Sequence, residues 1–108
     1  MAKESKKRAS RFPITQLVDV SHNREDFYHA QGINISKTGL LCEVGEPLEV
    51  QSEMYIMLSI DDEEEPLELQ GTVTRVEKKG KTYQVAIKFL DLIDEDMELL
   101  DKFIKQIQ

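Results

Sequence analysis

The chain has 108 residues, 40% of them apolar, and carries 14 Lys and Arg against 21 Asp and Glu, a formal charge of −7. This length suits one domain with one hydrophobic core, and so acidic a surface repels polyanions, which argues against general DNA or RNA binding as its main activity. A single cysteine excludes an intramolecular disulfide, no Cys/His spacing predicts a metal site, and no apolar stretch predicts a signal peptide or membrane insertion, so we expect a cytoplasmic protein.

The first eleven residues carry the opposite charge to the rest of the chain. Residues 1–11 hold five cations and one anion, whereas the remaining residues hold nine cations and 20 anions. Residues 1–11 lack apolar periodicity, which predicts a flexible basic N-terminal arm ahead of a folded domain at 12–108. Four of the cations lie in "KKRASRF", residues 6–12. Pro13 favours an extended backbone at Phe12, so we expect the arm to continue into a strand.

Six short runs with β-strand character follow the arm. The clearest is "MYIMLSI", in which apolar side chains recur at every second residue from Met54, the period of a strand and not of a helix. Turn-forming segments separate the runs, and the glycine in "EKKGK" predicts a β-hairpin between the last two. The expected strands are 14–20, 27–36, 40–44, 54–60, 67–76 and 83–89.

The period changes near the C-terminus. Apolar side chains recur there at steps of four and three, which predicts an amphipathic helix at 94–107. The expected apolar stripe consists of Ile93, Met97, Leu100, Ile104 and Ile107. Acidic residues at the start of this helix and lysines near its end suit the helix dipole. Strands followed by one helix, without β-α-β alternation, indicate a mainly β fold, a small antiparallel barrel or sandwich.

The stretch "NISKTGL" is the second feature that suggests a site. Asn34 and Ser36 are two residues apart, so on a strand both project to one face, opposite Ile33 and Ile35. Their amide and hydroxyl offer uncharged hydrogen-bond donors and acceptors. Gly39 permits a tight turn with positive φ and lets another group approach the backbone closely. An ordinary hairpin corner explains the same residues, because Asn, Ser and Gly are common in turns.

Together the arm and this corner resemble the two sequence motifs of the PilZ domain family, RxxxR and (D/N)xSxxG. Residues 34–39 match the second motif at every specified position. For the first motif, Arg11 matches the second arginine, but Lys7 stands where the first belongs, and Arg8 is spaced only three from Arg11. PilZ domains are small bacterial β-barrels, many of which bind cyclic di-GMP. The resemblance therefore implies a six-stranded antiparallel β-barrel with a C-terminal α-helix.

The resemblance also implies a site for cyclic di-GMP. Its residues in this chain would be Lys7, Arg8, Arg11, Asn34, Ser36 and Gly39. The cations would fold over the two phosphates and two guanines from the arm, the amide and hydroxyl would contact the ligand from the barrel, and the glycine turn would shape the corner. Ala86, small and outward-facing, would leave room for a guanine. The implied protein is a bacterial receptor without enzymatic activity or other cofactor, which signals to a protein partner through the conformation of its arm.

Two other functions stay open. A degenerate PilZ-type adaptor would bind no nucleotide and would act through a protein partner. Lys7 suggests this alternative, because an ammonium lacks the planar donor fork of a guanidinium. The remaining alternative is non-specific binding of nucleic acid or an anionic membrane surface by the arm, which the acidic body of the chain disfavours.

Other residues of reactive type are expected to have no role in a site. Asp19, Ser21 and His22 supply the residue types of a hydrolase triad, yet they lie within one strand end and its loop, where no such geometry is expected. His29 has no neighbouring histidine or cysteine in the sequence with which to bind a metal. Cys42 lies in an apolar run and is expected to be a buried, unreactive side chain.

Overall fold

Six strands close into a barrel and one helix follows them. The computed structural model describes residues 10–59 and 66–107. Its elements are β1 (Phe12–Pro13), β2 (Leu17–Ser21), β3 (Tyr28–Ile35), β4 (Gly39–Val44), β5 (Glu53–Leu58), β6 (Leu67–Lys79), β7 (Thr82–Leu90) and α1 (Asp94–Ile107). All strand pairs are antiparallel in the order β1-β3-β2-β5-β6-β7-β4, and pairing between β3 and β4 closes the sheet from β2 to β7. The predicted six-stranded barrel with a C-terminal helix is confirmed.

The first predicted strand, 14–20, is wrong in its extent. β1 ends at Pro13, which pairs with Asn34, and β2 begins at Leu17, which pairs with Gln31. Residues 14–16, between the two strands, therefore lie opposite only two residues of β3, 32 and 33. The extra residue interrupts the ladder. Such an insertion depends on the partner strand, so a run of strand-forming residues does not reveal it.

The predicted hairpin forms from β6 and β7. Their ladder runs from Gln70 opposite Leu90 to Lys79 opposite Thr82, so β6 is longer than the sequence indicated. The connecting turn contains Gly80, whose φ of 64° lies in the left-handed region that glycine adopts without steric cost. The hairpin forms one wall of the barrel, and its outer surface borders the candidate site.

Alternating side chains fill the barrel. In β5 the side chains of Met54, Ile56 and Leu58 are buried, and in β7 those of Val85 and Ile87 are buried, while the residues between them are partly exposed. This is the inward and outward alternation that the period of two predicted. The outward residues of β7 therefore form a surface that remains open for other contacts.

The helix α1 has the predicted bounds but packs with a different stripe. Leu100, Phe103 and Ile104 join the barrel core, whereas Ile93 is 59% and Met97 is 46% exposed. The predicted stripe is therefore wrong in its first half, because only the second half of the helix packs against the barrel. Within the two described ranges, no helix is long and apolar enough to cross a membrane.

Cys42 is fully buried in β4, as the sequence indicated. Burial in an apolar environment disfavours the thiolate and raises the pKa of the Cys42 thiol to about 12. The thiolate is the reactive form, so this cysteine has a structural role in the core.

The titration of Cys42 is expected to lower stability at alkaline pH. The unfolded thiol loses its proton near 9.0, whereas the folded thiol keeps it to about 12. Between these values the folded state binds more protons, so the free energy of unfolding falls as the pH rises. Thermal unfolding at about pH 8 and about pH 10.5 measures this loss, with Cys42→Ala as a control that lacks only the thiol. Equal losses in the two proteins would contradict the prediction.

Candidate ligand-binding site

Ser36 holds the turn between β3 and β4. The residue is only 1% exposed, and its Oγ accepts hydrogen bonds from the backbone N–H of Thr38 at 3.1 Å and of Gly39 at 3.2 Å. The backbone N–H of Ser36 donates to the Gly39 carbonyl at 2.9 Å. The prediction that Asn34 and Ser36 project to one face of a strand is wrong, because β3 ends at Ile35 and Ser36 is buried in the turn, whereas Asn34 is partly exposed. Contact between Ser36 and a ligand stays a prediction.

Gly39 presses this turn against β7. A Cβ atom at Gly39 would lie 2.6 Å from the carbonyl oxygen of Ile87, and the backbone N–H of Phe89 donates to the carbonyl of Thr38 at 2.9 Å. The expected close approach of another group is therefore confirmed. The expected positive φ is wrong, since among the described glycines only Gly80 has one. Glycine is needed here for space and not for backbone conformation.

A β-bulge in β3 decides which way Asn34 faces. The register of the β3–β4 ladder shifts between Gly32 and Asn34, so Ile33 is an extra residue. Without it, alternation from the buried Gly32 would bury Asn34 and expose Ile35. Instead, Ile35 is fully buried and Asn34 is partly exposed. The predicted opposition of Asn34 and Ile35 is confirmed, and the bulge leaves a polar amide at the barrel surface.

Arg11 reaches the same corner from the N-terminal side. Phe12 pairs with Ile35, so the residue before β1 lies next to the end of β3. The exposed Arg11 donates from Nη1 to Asn34 Oδ1 at 3.0 Å, across 23 positions of sequence. The structure thus brings together Arg11 and Asn34, one residue from each of the two predicted motifs.

A surface depression of ≈ 220 Å³ lies beside this corner, between β4, β6 and β7. Its lining consists of Arg11, Thr38, Gly39, Leu40, Thr74, Ala86, Ile87 and Lys88. Both charged residues of this lining are cations, in a protein whose net charge is −7. Ala86, singled out in the sequence as small and outward-facing, lines the depression. The two positive charges can attract an anionic group, and the small side chain of Ala86 leaves space for a planar group.

Sequence reasoning did not assign to the site either of the polar side chains that β6 and β7 contribute to this lining, Thr74 and Lys88. Lys88 alternates with Ala86 on the outer face of β7, so the period of two was the signal that could have found it. Thr74 gave no such signal, because it lies at an irregularity of β6 that its sequence does not show. Lys7 and Arg8, the other cations predicted for the site, lie outside the described residues, and their roles stay predictions.

The three residues of hydrolase-triad type, Asp19, Ser21 and His22, do not form a triad. Asp19 Oδ1 lies 2.5 Å from Nδ1 of His29, which is its partner on the neighbouring strand β3. Asp19 does not bond to His22. Ser21 is fully buried, and its Oγ lies 2.9 Å from Oδ1 of Asn23, inside the loop that follows β2. In the part of the chain that the structure describes, no group of three His, Cys, Asp or Glu side chains could hold a metal ion.

A sequence model of one protein family matches nearly the whole chain. The model is that of the PilZ domain, and the match covers residues 5–106. This span contains both predicted motifs, including the two cations that lie outside the described residues. No curated protein matches the chain.

Solved structures share the fold at low sequence identity. The Bacillus subtilis inhibitor of motility, MotI/DgrA, superposes with a TM-score of 0.72 at 16% identity, covering 95% of this chain and 51% of that chain. The complex of K. pneumonia MrkH with c-di-GMP superposes with a TM-score of 0.70 at 18% identity, covering 92% of this chain and 51% of that chain. MrkH in its apo state superposes with a TM-score of 0.68 at 15% identity, covering 99% of this chain and 52% of that chain. The chain therefore spans about half the length of each of these structures.

Proposed function

The chain belongs to the PilZ domain family, and on this premise we propose that it is a non-enzymatic receptor for cyclic di-GMP. The observation that carries the proposal is the hydrogen bond from Arg11 to Asn34 beside a cationic depression. These two residues come from the two motifs that the family uses for this ligand. The solved complex of MrkH with c-di-GMP, a structure of the same fold, supports the same ligand class.

The proposed roles of the site residues follow from their chemistry. Arg11 offers a planar fork that can donate two parallel hydrogen bonds to a phosphate or to guanine O6 and N7. Asn34, already bonded to Arg11 at 3.0 Å, orients that fork and offers its own amide. Ser36 and Gly39 act chiefly by fixing the turn, and Ala86 gives a guanine ring space on β7.

The remainder of the site is proposed to come from the arm. Small-molecule sites usually have volumes of about 300–1,000 Å³, and the described depression has ≈ 220 Å³. A dinucleotide with two phosphates and two guanines therefore needs a further wall. We propose that Lys7 and Arg8 contribute to this wall when residues 1–11 close over the ligand. The closed arm and the barrel domain would then present a new surface to a protein partner in the bacterial cytoplasm.

Calorimetric titration of the purified chain with cyclic di-GMP tests the proposal. We expect saturable binding, and the titration also gives the number of ligands bound. Absence of binding at high micromolar ligand would contradict the receptor and favour the adaptor, which Lys7 motivates. The same titration at several salt concentrations, with cyclic di-AMP as a second ligand, addresses the third function. Binding that ignores the base and weakens steeply with salt would identify a non-specific anion-binding arm.

Replacing Lys7 with arginine is expected to strengthen cyclic di-GMP binding. The change restores the RxxxR pattern and adds a donor fork where the wild-type chain has a point charge. A fork is worth about 1–3 kcal/mol, of which Lys7 already supplies a part, so we expect a gain of roughly fivefold in affinity. Lys6→Arg is the matched control, because it makes the same substitution one position away and outside the pattern. Equal affinities for the two variants would exclude Lys7 as the counterpart of the first arginine.

A further inference from the structure

A second β-bulge lies in β6, at the edge of the depression. The register of the β6–β7 ladder shifts between Val73, opposite Ile87, and Arg75, opposite Ala86. Thr74 is therefore an extra residue, and its Oγ1 donates to the carbonyl oxygen of Ala86 at 3.2 Å. Bulges often re-aim a side chain next to a functional site. Here the residue that the bulge re-aims is an arginine.

The bulge turns Arg75 toward the face on which Ala86 lies. Val73 is fully buried, so uninterrupted alternation would also direct position 75 into the barrel. Arg75 is exposed instead, directly opposite Ala86, whose neighbours in β7 face inward. Directly opposite residues of an antiparallel pair lie on one face with Cβ atoms about 4.5–5.5 Å apart. The Arg75 side chain therefore starts beside the small residue that opens the depression.

Nothing in the described part of the chain neutralises Arg75. The nearest carboxylate along β6, that of Glu77, lies 3.8 Å from Nζ of Lys79. Within residues 10–59 and 66–107, none of the ion pairs involves Arg75, although the protein has 21 acidic residues. Arg11 and Lys88 line the depression together with Ala86, and Arg75 lies at its edge, directly opposite Ala86 in the ladder. An exposed cation in this position is suited to an anionic ligand.

We propose that Arg75 is a further ligand-binding residue of the cyclic di-GMP site, and that its guanidinium contacts the ligand from β6, whereas Arg11 contacts it from the side of β3. The inference rests on the proposed function. Arg75 would also compensate for Lys7, which stands where the RxxxR motif has its first arginine, because β6 supplies a second guanidinium. The guanidinium groups of Arg11 and Arg75 and the ammonium of Lys88 then offer three cations to a ligand that carries two phosphates and two guanines.

Three variants of the full chain test this role in titrations with cyclic di-GMP. Arg75→Gln removes the charge and the fork, and Arg75→Lys keeps the charge but removes the fork. Lys81→Gln is the matched control, since Lys81 is exposed in the hairpin turn, five residues from Ala86 and so roughly 17 Å away along β7. Arg75 and Lys81 are both on the surface, so all three variants are expected to keep the wild-type melting temperature.

We expect both Arg75 variants to bind about tenfold more weakly than the wild type, with Lys81→Gln unchanged. Equal losses of affinity in Arg75→Gln and Lys81→Gln would show that binding depends only on the net charge of the protein, and would overturn the inference. Wild-type affinity in Arg75→Lys would overturn the role of the guanidinium. Wild-type affinity in Arg75→Gln would remove Arg75 from the site and leave the proposed receptor function intact. Absence of binding by the wild-type chain would overturn both the inference and the proposed function.

Discussion

Arg11→Ala is expected to weaken cyclic di-GMP binding by roughly 30- to 150-fold, the loss of about 2–3 kcal/mol for a charged bidentate contact. Arg11 lines the depression, and its Nη1 donates to Asn34 at 3.0 Å, so its guanidinium is held next to the proposed ligand. Alanine removes the fork and the charge together and also leaves Asn34 without this partner. Isothermal titration calorimetry with cyclic di-GMP gives the change in affinity directly.

Arg24→Ala is the matched control for this substitution. Arg24 is also exposed, and it also bonds to a side chain, donating from Nη2 to Glu68 Oε1 at 3.0 Å. It does not line the depression beside Gly39. The control removes the same charge from the same kind of surface position, so we expect its affinity to stay at the wild-type value. Equal affinities for the two variants would show that Arg11 does not contact the ligand.

Gly39→Ala is expected to lower the free energy of unfolding by about 1–3 kcal/mol, the usual cost of forcing an extra carbon into a packed site. The added Cβ would lie 2.6 Å from the Ile87 carbonyl oxygen, a backbone atom that cannot move without displacing β7. For a domain of this size the loss corresponds to a melting temperature lower by roughly 5–20 °C. Thermal unfolding followed by circular dichroism measures this decrease.

The same substitution should also weaken ligand binding, because the turn and β7 form two sides of the depression. Gly45→Ala is the control, since no atom lies within 4 Å of the Cβ that it would add and its φ is not positive. We expect that control to melt within a few degrees of the wild type, or slightly above it, because alanine restricts the unfolded chain. A Gly39→Ala variant as stable as Gly45→Ala would mean that the turn does not rest on β7.

The two predictions test different parts of one arrangement. Arg11 belongs to the chain entering β1, and Gly39 belongs to the turn that begins β4. They lie in the same depression because β3 pairs with β1 at its end and with β4 through the turn that Ser36 holds. Loss of binding without loss of stability at Arg11, together with loss of both at Gly39, would separate the contact residue from the residue that shapes its surroundings.

The sequence by itself determined the fold class, the helix bounds and the pair of motifs. These features depend on properties that are local to a segment. Alternating apolar side chains favour a strand because successive residues face opposite sides, and steps of three and four favour a helix. The motif residues 34–39 could be recognised because their spacing is fixed within one turn. Arg11 and Asn34 could be assigned to one site only through the family resemblance, which their contact then supported.

Only the tertiary structure decided which side chains face outward at the candidate site. The extra residues Ile33 and Thr74 reverse the alternation of their strands, so that Asn34 and Arg75 face outward. A bulge forms where a strand must fit its partner, and its energy depends on that partner and not on the segment that contains it. The burial of Ser36 has the same kind of cause, because hydrogen bonds and packing against β7 fix the turn. The alternation of inward and outward side chains can therefore be predicted from the sequence, whereas the bulges that interrupt it are seen only in the closed barrel.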